Sequence, residues 1–375
     1  MNVLLTNIVL DQVSGTVAYT RDLALALKQR GIHVEIYTHS IGEVGLDLIA
    51  QGIVVFTSLT QSKQIPDIIH AHHSPLLIDA LFKYRNTPAI YWIHDRYSTY
   101  DKPVVLKNIM KYFAVDYFCM ERYSEEVTLN DKYIQVIFNW SDTSKFKQRI
   151  HFATAPKKAL VFSNYASDQN YLNYIKEACH RCNISLDVMG LLVGNYQPQP
   201  HQFLDQYDII FAKAKAAIEA MCTGAAVIVC DANGYAGRVT KENFDFLRMY
   251  NFGRKTMTQS YHIDHIVRDI ESYNVDENKS ISNLIRSSAS LDQYIDQLMG
   301  IYTTCIQDYK SGDRGAHSIW FHLYSLYFHQ HFPDWILPIK SKINLLQVGI
   351  NSFLFTIAST GLKIKRKLIG RPGQR

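Results

Sequence analysis

An α/β fold with two parallel sheets in succession is what this sequence predicts, on three observations. The stretch Tyr207 to Asp231, YDIIFAKAKAAIEAMCTGAAVIVCD, reads as strand, tight turn, helix and strand, and a βαβ unit of that kind demands a parallel sheet. The chain opens the same way, with a strand from Val3 to Thr6, a loop at Val13-Ser14-Gly15-Thr16, an amphipathic helix from Tyr19 to Arg30 stopped by Gly31, and a strand from His33 to Thr38. Strand-length apolar runs alternate with helical ones between these units, and 375 residues suit two domains rather than one.

Bulk composition excludes more than it selects. Hydrophobic residues at 47% and charged ones at 19% describe an ordinary globular protein. A net charge of +5 suits an anionic ligand or membrane surface, but it is too diffuse to argue for nucleic acid. The six cysteines fall mostly in apolar or helical surroundings, as buried reduced thiols do. Cys179-His-Arg-Cys182 has no second pair, so zinc is not expected. Met1-Asn-Val-Leu-Leu has no basic region ahead of its apolar run and reads as a first strand rather than a signal peptide; the cytoplasm is the expected location.

In the first half, Gly52 to Phe56 is a strand, Pro66 to His73 another, Leu76 to Tyr84 a helix, and Ala89 to Asp95 a strand end. Phe113 to Phe118 and Ile134 to Phe138 repeat the apolar pattern. Ligands in open α/β sheets bind beyond the carboxyl ends of strands. His70, His72, His73, His94 and Asp95 therefore gather where chemistry is done. Alternation along a strand puts His70 and His72 on one side and His73 on the other. No carboxylate is spaced to complete a metal site with them, and none is expected. A satisfied strand-end histidine is the plain alternative for His94.

The second half opens on a strand, Ala159 to Phe162, followed by a polar loop, Ser163-Asn164-Tyr165-Ala166-Ser167-Asp168. Tyr171 to Cys182 reads as a helix, Ser185 to Met189 as a strand, and Gly190 to Gly194 as a loop. In the central unit, Tyr207 to Phe211 is a strand, Ala212-Lys-Ala-Lys-Ala216 the turn, and Ala217 to Cys222 a helix ended by Gly224 before the strand Ala226 to Cys230. Two ammonium groups beside the open N–H groups of a helix start make an anion site. Glu219 stands one turn on, placed to accept from a diol. Phosphate plus diol describes a nucleotide; a core helix with two solvated lysines and a surface Glu fits the same letters. Beyond Asp231, 232–237 reads as a second glycine-rich loop, and Asn243 to Tyr250, Ile263 to Tyr273 and Leu291 to Asp308 as helices.

Glu219-Ala-Met-Cys-Thr-Gly224 and its apolar strand resemble the second half of the fingerprint of GT-B glycosyltransferases of the family-4 type. That fingerprint is a Glu, seven residues, a second Glu, then Ala, a small residue, Gly and a strand. Phe211 stands where the first Glu would be, and the Ala-Lys-Ala-Lys turn resembles a variant in which a cationic turn meets the diphosphate. Asp67-Ile-Ile-His70-Ala-His72-His73 is similar to a strand of that family, and Trp92-Ile-His94-Asp95 to the strand end carrying its active-site histidine. Asn139 to Phe146 resembles its interdomain segment. Gly15 matches the second of two loop glycines, with Ser14 in place of the first; the Gly-Arg and Lys-Gly pairs usual after the strand at Ala159 are absent. The resemblance covers Met1 to Ile306.

It implies a GT-B architecture, two Rossmann-like domains with parallel sheets facing a central cleft: 1–150 on the acceptor side and 151–306 binding the nucleotide sugar. It implies transfer of a sugar from a nucleotide-diphosphate sugar to a glycan or lipid-linked acceptor, in cell-surface polysaccharide or glycoconjugate synthesis, with no cofactor and no metal. By the same resemblance His94 and Asp95 are the catalytic candidates, and Gly15, Asn164, Lys213, Lys215 and Glu219 bind the donor. A non-catalytic nucleotide-sugar-binding protein of this fold and a nucleotide-sugar epimerase are the alternatives.

The tail, 307–375, differs. Apolar residues from Ile343 to Leu368 recur at three- and four-residue spacing, with Lys363, Lys365, Arg366, Lys367 and Arg371 at the end. Polar residues within it argue against a membrane span. An amphipathic helix through 343–371 on an anionic membrane, at the inner face, fits the pattern, as does a helix packed against the body or a partner.

Overall fold

The computed structural model describes residues 1–11, 14–126, 134–197 and 199–312. The membrane-surface segment expected at 343–371 lies outside these residues.

The first sheet grows outward in both directions from the first strand. The chain runs β1 (Asn2–Thr6), β2 (Val9–Leu10), α1 (Gly15–Gln29), β3 (His33–Tyr37), β4 (Ser40–Ile41), α2 (Glu43–Ala50) and β5 (Val54–Phe56). It then returns to the other side of β1 with β6 (Ile68–His72), α3 (Ser74–Lys83), β7 (Ala89–Ile93), β8 (Ile109–Ala114), α4 (Tyr117–Glu126) and β9 (Ile134–Val136). Strand order is β5-β3-β1-β6-β7-β8-β9, with every pairing parallel. Its central strands are buried on both faces, as β6 and β7 are throughout, which is why they read as unbroken apolar runs. The winding reverses between β1 and β6, so a crevice opens at their carboxyl ends.

The second sheet repeats the device. β10 (Lys158–Phe162), α5 (Leu172–Arg181), β11 (Ser185–Met189), β12 (Ile209–Ala212), α6 (Ala214–Cys222), β13 (Ala226–Asp231) and β14 (Gly234–Arg238) lead to α7 (Phe244–Met249), α8 (Ile263–Glu271), α9 (Val275–Ser288) and α10 (Leu291–Ser311). Strand order is β11-β10-β12-β13-β14, with β14 antiparallel to β13. The reversal falls between β10 and β12. Strand alternation divides the core: Ile210, Ala212, Val227 and Val229 pack with α6 and α9, while Ile209, Phe211, Ile228 and Cys230 pack with α5 and α8.

Four local readings are corrected. Phe113 to Phe118 is not one strand: Asp116 Oδ1 accepts from Cys119 N at 2.7 Å and starts a helix after β8. The glycine-rich stretch expected as a loop at 232–237 runs into β14 from Gly234 on. α9 has a charged surface that hid it, although Asn274 caps it and Ile281 and Ile285 are buried beneath it. Gly15 opens α1 instead of lying in the preceding loop, because Ser14 accepts from Val17 N and caps the helix there.

Candidate functional site

β12 delivers the chain to α6 at the reversal point of the second sheet. The helix starts at Ala214, so Lys215 lies in its first turn and Lys213 caps it. Ala214 takes φ +50°, a left-handed conformation unusual for a residue with a Cβ, and its N–H donates to Phe252 O at 3.0 Å. Lys213 pairs with the buried Asp231 and lies 4.8 Å from the Tyr165 ring centroid. Lys215 is buried. Its ammonium is 3.2 Å from Glu219 Oε1 and 3.5 Å from Asp22 Oδ2, donates to Trp140 O at 3.2 Å, and covers the Trp140 ring at 4.4 Å. Three oxygens thus surround a group with three N–H bonds. Glu219 is only 7% exposed, and burial pushes its carboxyl above the ordinary range, with Lys215 opposing. Lys215 holds Oε1, and Glu219 makes no other ion pair among the described residues.

The crevice of the first sheet carries the histidines. His70 and His72 share a face of β6, with ring centroids 4.7 Å apart, and His73 turns away at φ +68°, where its Nδ1 accepts from Ile8 N at 3.1 Å. His94 follows β7, and its Nε2 lies 2.8 Å from His72 Nδ1. Tyr19 of α1 stands edge-on to both rings, at 4.7 Å from His94 and 5.1 Å from His72. Burial drives His72 and His94 well below the usual histidine range, and His70 and His73 to about 3, so all four are neutral at physiological pH. His70 Nδ1 is 2.6 Å from the Tyr302 hydroxyl of α10.

Asp95 is a turn-former here: its Oδ1 accepts from Tyr97 N at 2.6 Å and Ser98 N at 2.9 Å. The carboxylate that fixes His94 is Asp101, whose Oδ2 accepts from the N–H of His94 at 3.2 Å and of Asp95 at 2.7 Å. Burial raises the Asp101 carboxyl to about 7. A group bound more tightly by protons when folded stabilises most in acid and loses that contribution as the pH rises through its folded value. Between pH 5 and 8 the parent should therefore lose roughly 2–3 kcal/mol relative to Asp101→Asn, at about 1.4 kcal/mol per unit. Urea unfolding of both proteins at the two pH values checks this, and a pH-independent difference would refute it.

The two halves of the site meet through named contacts. The Tyr19 ring lies 5.1 Å from Trp140 at a tilt of 43°, Trp140 lies under Lys215, and Tyr19 and Tyr294 share a hydroxyl–hydroxyl bond. His94, Tyr19, Trp140, Lys215 and Glu219 form one contiguous series, with Asp22 beside it on α1. Gly15 is at the exposed start of α1, where an added Cβ meets nothing within 4 Å. Asn164 follows β10 beside Gly190, whose absent Cβ would sit 3.1 Å from Asn164 Cα. Residue reading missed Tyr19, Asp22, Asp101, Trp140 and Asp231. Asp22 had a signal, since it shares the apolar face of α1 with Tyr19 and Ala26, three and four residues away.

No family model and no curated protein matches this chain. Solved structures do. A glycosyltransferase from Rickettsia africae superposes with a TM-score of 0.56 at 14% identity, covering 82% of this chain and 99% of that one. Anabaena HepE, in complex with UDP and glucose, gives 0.58 at 13% identity, over 80% and 99%. The catalytic domain of starch synthase IV from Arabidopsis thaliana, bound to ADP and acarbose, gives 0.52 at 10%, over 82% and 99%. The fold is GT-B. No helix among the described residues is long and apolar enough to cross a membrane.

Proposed function

We propose that this chain is a glycosyltransferase that moves a sugar from a nucleotide-diphosphate donor to a glycan or lipid-linked acceptor. The observation that supports it most is the Glu219 carboxylate, buried on the helix that follows the reversal point, with Oε1 anchored by Lys215 and no other ion pair among the described residues. That carboxylate is the acceptor for ribose hydroxyls. Lys213, the more exposed of the two lysines, and the Lys215 and Ala216 amides at the start of α6 meet the diphosphate and stabilise charge on the leaving group. Lys215 serves as the counter-ion that fixes Glu219. His94, neutral and anchored through Asp101, orients the sugar or the acceptor hydroxyl. The reading calls for no metal, since these groups supply the positive charge.

One observation favours a second reading. Phe211, in the position of the fingerprint's first Glu, is fully buried on the α5 side of the sheet, so that side chain brings no carboxylate to the donor. A protein that holds a nucleotide sugar without transferring it fits this substitution.

Calorimetric titration tests the donor site. Glu219→Gln keeps the shape and removes the charge; Asp22 and Trp140 O remain to receive Lys215. Charge-assisted bonds are worth on the order of 1.5–3 kcal/mol each, so nucleoside diphosphate affinity should fall at least tenfold with the melting temperature little changed. Equal affinity in parent and variant would remove Glu219 from the site, and no binding of any nucleoside diphosphate would overturn the reading.

A further inference from the structure

We infer that His72 is a positioning residue: it donates its Nδ1–H to His94 and so holds His94 in the tautomer whose free nitrogen, Nδ1, is a hydrogen-bond donor. The sugar or acceptor hydroxyl that His94 meets rests on the glycosyltransferase reading; the tautomer does not.

A single proton lies between His72 Nδ1 and His94 Nε2, 2.8 Å apart, because both rings are neutral. Two arrangements place it. If His94 donates from Nε2, His72 must carry its own proton on Nε2, which is buried and has no partner among the described residues. That arrangement buries an orphan N–H. If His72 donates from Nδ1, the buried Nε2 is only an unused lone pair. Orphaned buried N–H groups are the rarer defect, so the second arrangement holds. His94 then accepts on Nε2 and carries its proton on Nδ1, which has no protein partner among the described residues.

The surroundings keep His72 in place for this task. Its backbone N–H donates to Thr6 Oγ1 at 3.1 Å, and that hydroxyl donates to His72 O at 2.8 Å, tying β6 to β1 at the crevice. The Tyr19 ring meets His72 and His94 at interplanar angles of 80° and 75°, so one aromatic edge fixes both ring planes. His70 closes the far side, with its own Nδ1 engaged by Tyr302. A neutral histidine locked this way is a directional donor. It is not a general base, because the nitrogen that His72 leaves unbonded already carries a proton.

Nitrogen NMR of the protein labelled at histidine, with His94 assigned by its loss in His94→Gln, reads the tautomer directly. The parent should show His94 protonated at Nδ1 and bare at Nε2. Protonation at Nε2, or equal populations of the two forms, overturns the proposal. Two variants give the functional arm. His72→Leu should lower kcat at least tenfold with nucleoside diphosphate affinity unchanged, and His72→Asn, which returns an amide N–H near the position of Nδ1, should restore most of it. Parent-like turnover in His72→Leu, or failure of Asn to outperform Leu while both variants melt like the parent, also overturns it. If the parent transfers no sugar, the glycosyltransferase reading falls, and the NMR result still decides the role of His72.

Discussion

Lys215→Met should destabilise the chain by about 3–5 kcal/mol, the cost of leaving a buried carboxylate without its partner. The loss concentrates on Glu219, because Asp22 keeps a second cation in Arg21 at 2.8 Å, whereas Glu219 pairs only with Lys215 among the ion pairs of the described residues. Burial already holds the Glu219 carboxyl above its ordinary range. A raised carboxyl contributes stability that is full in acid and lost as the pH rises. Removing Lys215 enlarges that upward shift, so the penalty should widen from mildly acid to neutral pH. Adding Glu219→Gln to Lys215→Met removes both charges and should recover most of the loss, since an ion pair deleted whole leaves no orphan charge. A single substitution costing no more than a surface change, below about 0.5 kcal/mol, would mean that the Lys215–Glu219 pair within α6 does not organise the site.

His94→Ala should lower turnover by about a hundredfold or more, the scale of a positioned catalytic group, and leave nucleoside diphosphate affinity nearly intact. The separation follows from place: His94 follows β7 of the first sheet, while Glu219 lies on α6 beside the second. The aromatic series Tyr19–Trp140 stands between them. Steady-state kinetics beside calorimetry reads both quantities. A matching loss of affinity and turnover would assign His94 to donor binding.

What could be read from the letters alone was what is local. The βαβ unit around Glu219 follows from strand-length apolar runs, helix formers and Gly224, whose φ of +89° is the left-handed stop that the pattern implied. The shared face of His70 and His72 follows from the two-residue period of a strand. The pairing of His72 with His94 does not, because it depends on β6 lying beside β7 in a register that sets His72 opposite Trp92. The same limit hid the environment of Lys215. Two lysines before a helix look like an open anion site until Asp22, from α1 of the other sheet, and the Trp140 carbonyl close around one of them. Asp101 was silent for a different reason: its work is done with backbone amides of a loop, which leave no signature in side-chain spacing. The polar surface of α9 masked a helix whose buried face carries two polar residues, Asn278 and Ser282, beside Ile281 and Ile285.

Product analysis tests the account most directly. The purified full chain is incubated with each of a panel of nucleotide-diphosphate sugars, with and without alkyl glycosides as acceptors, and the mixture is separated and weighed by mass spectrometry. The account predicts free nucleoside diphosphate and glycosylated acceptor in equal amounts from one donor, with both formed much more slowly by Glu219→Gln and His94→Ala. Donors returned unchanged throughout, or an epimeric nucleotide sugar with no nucleoside diphosphate released, would contradict it.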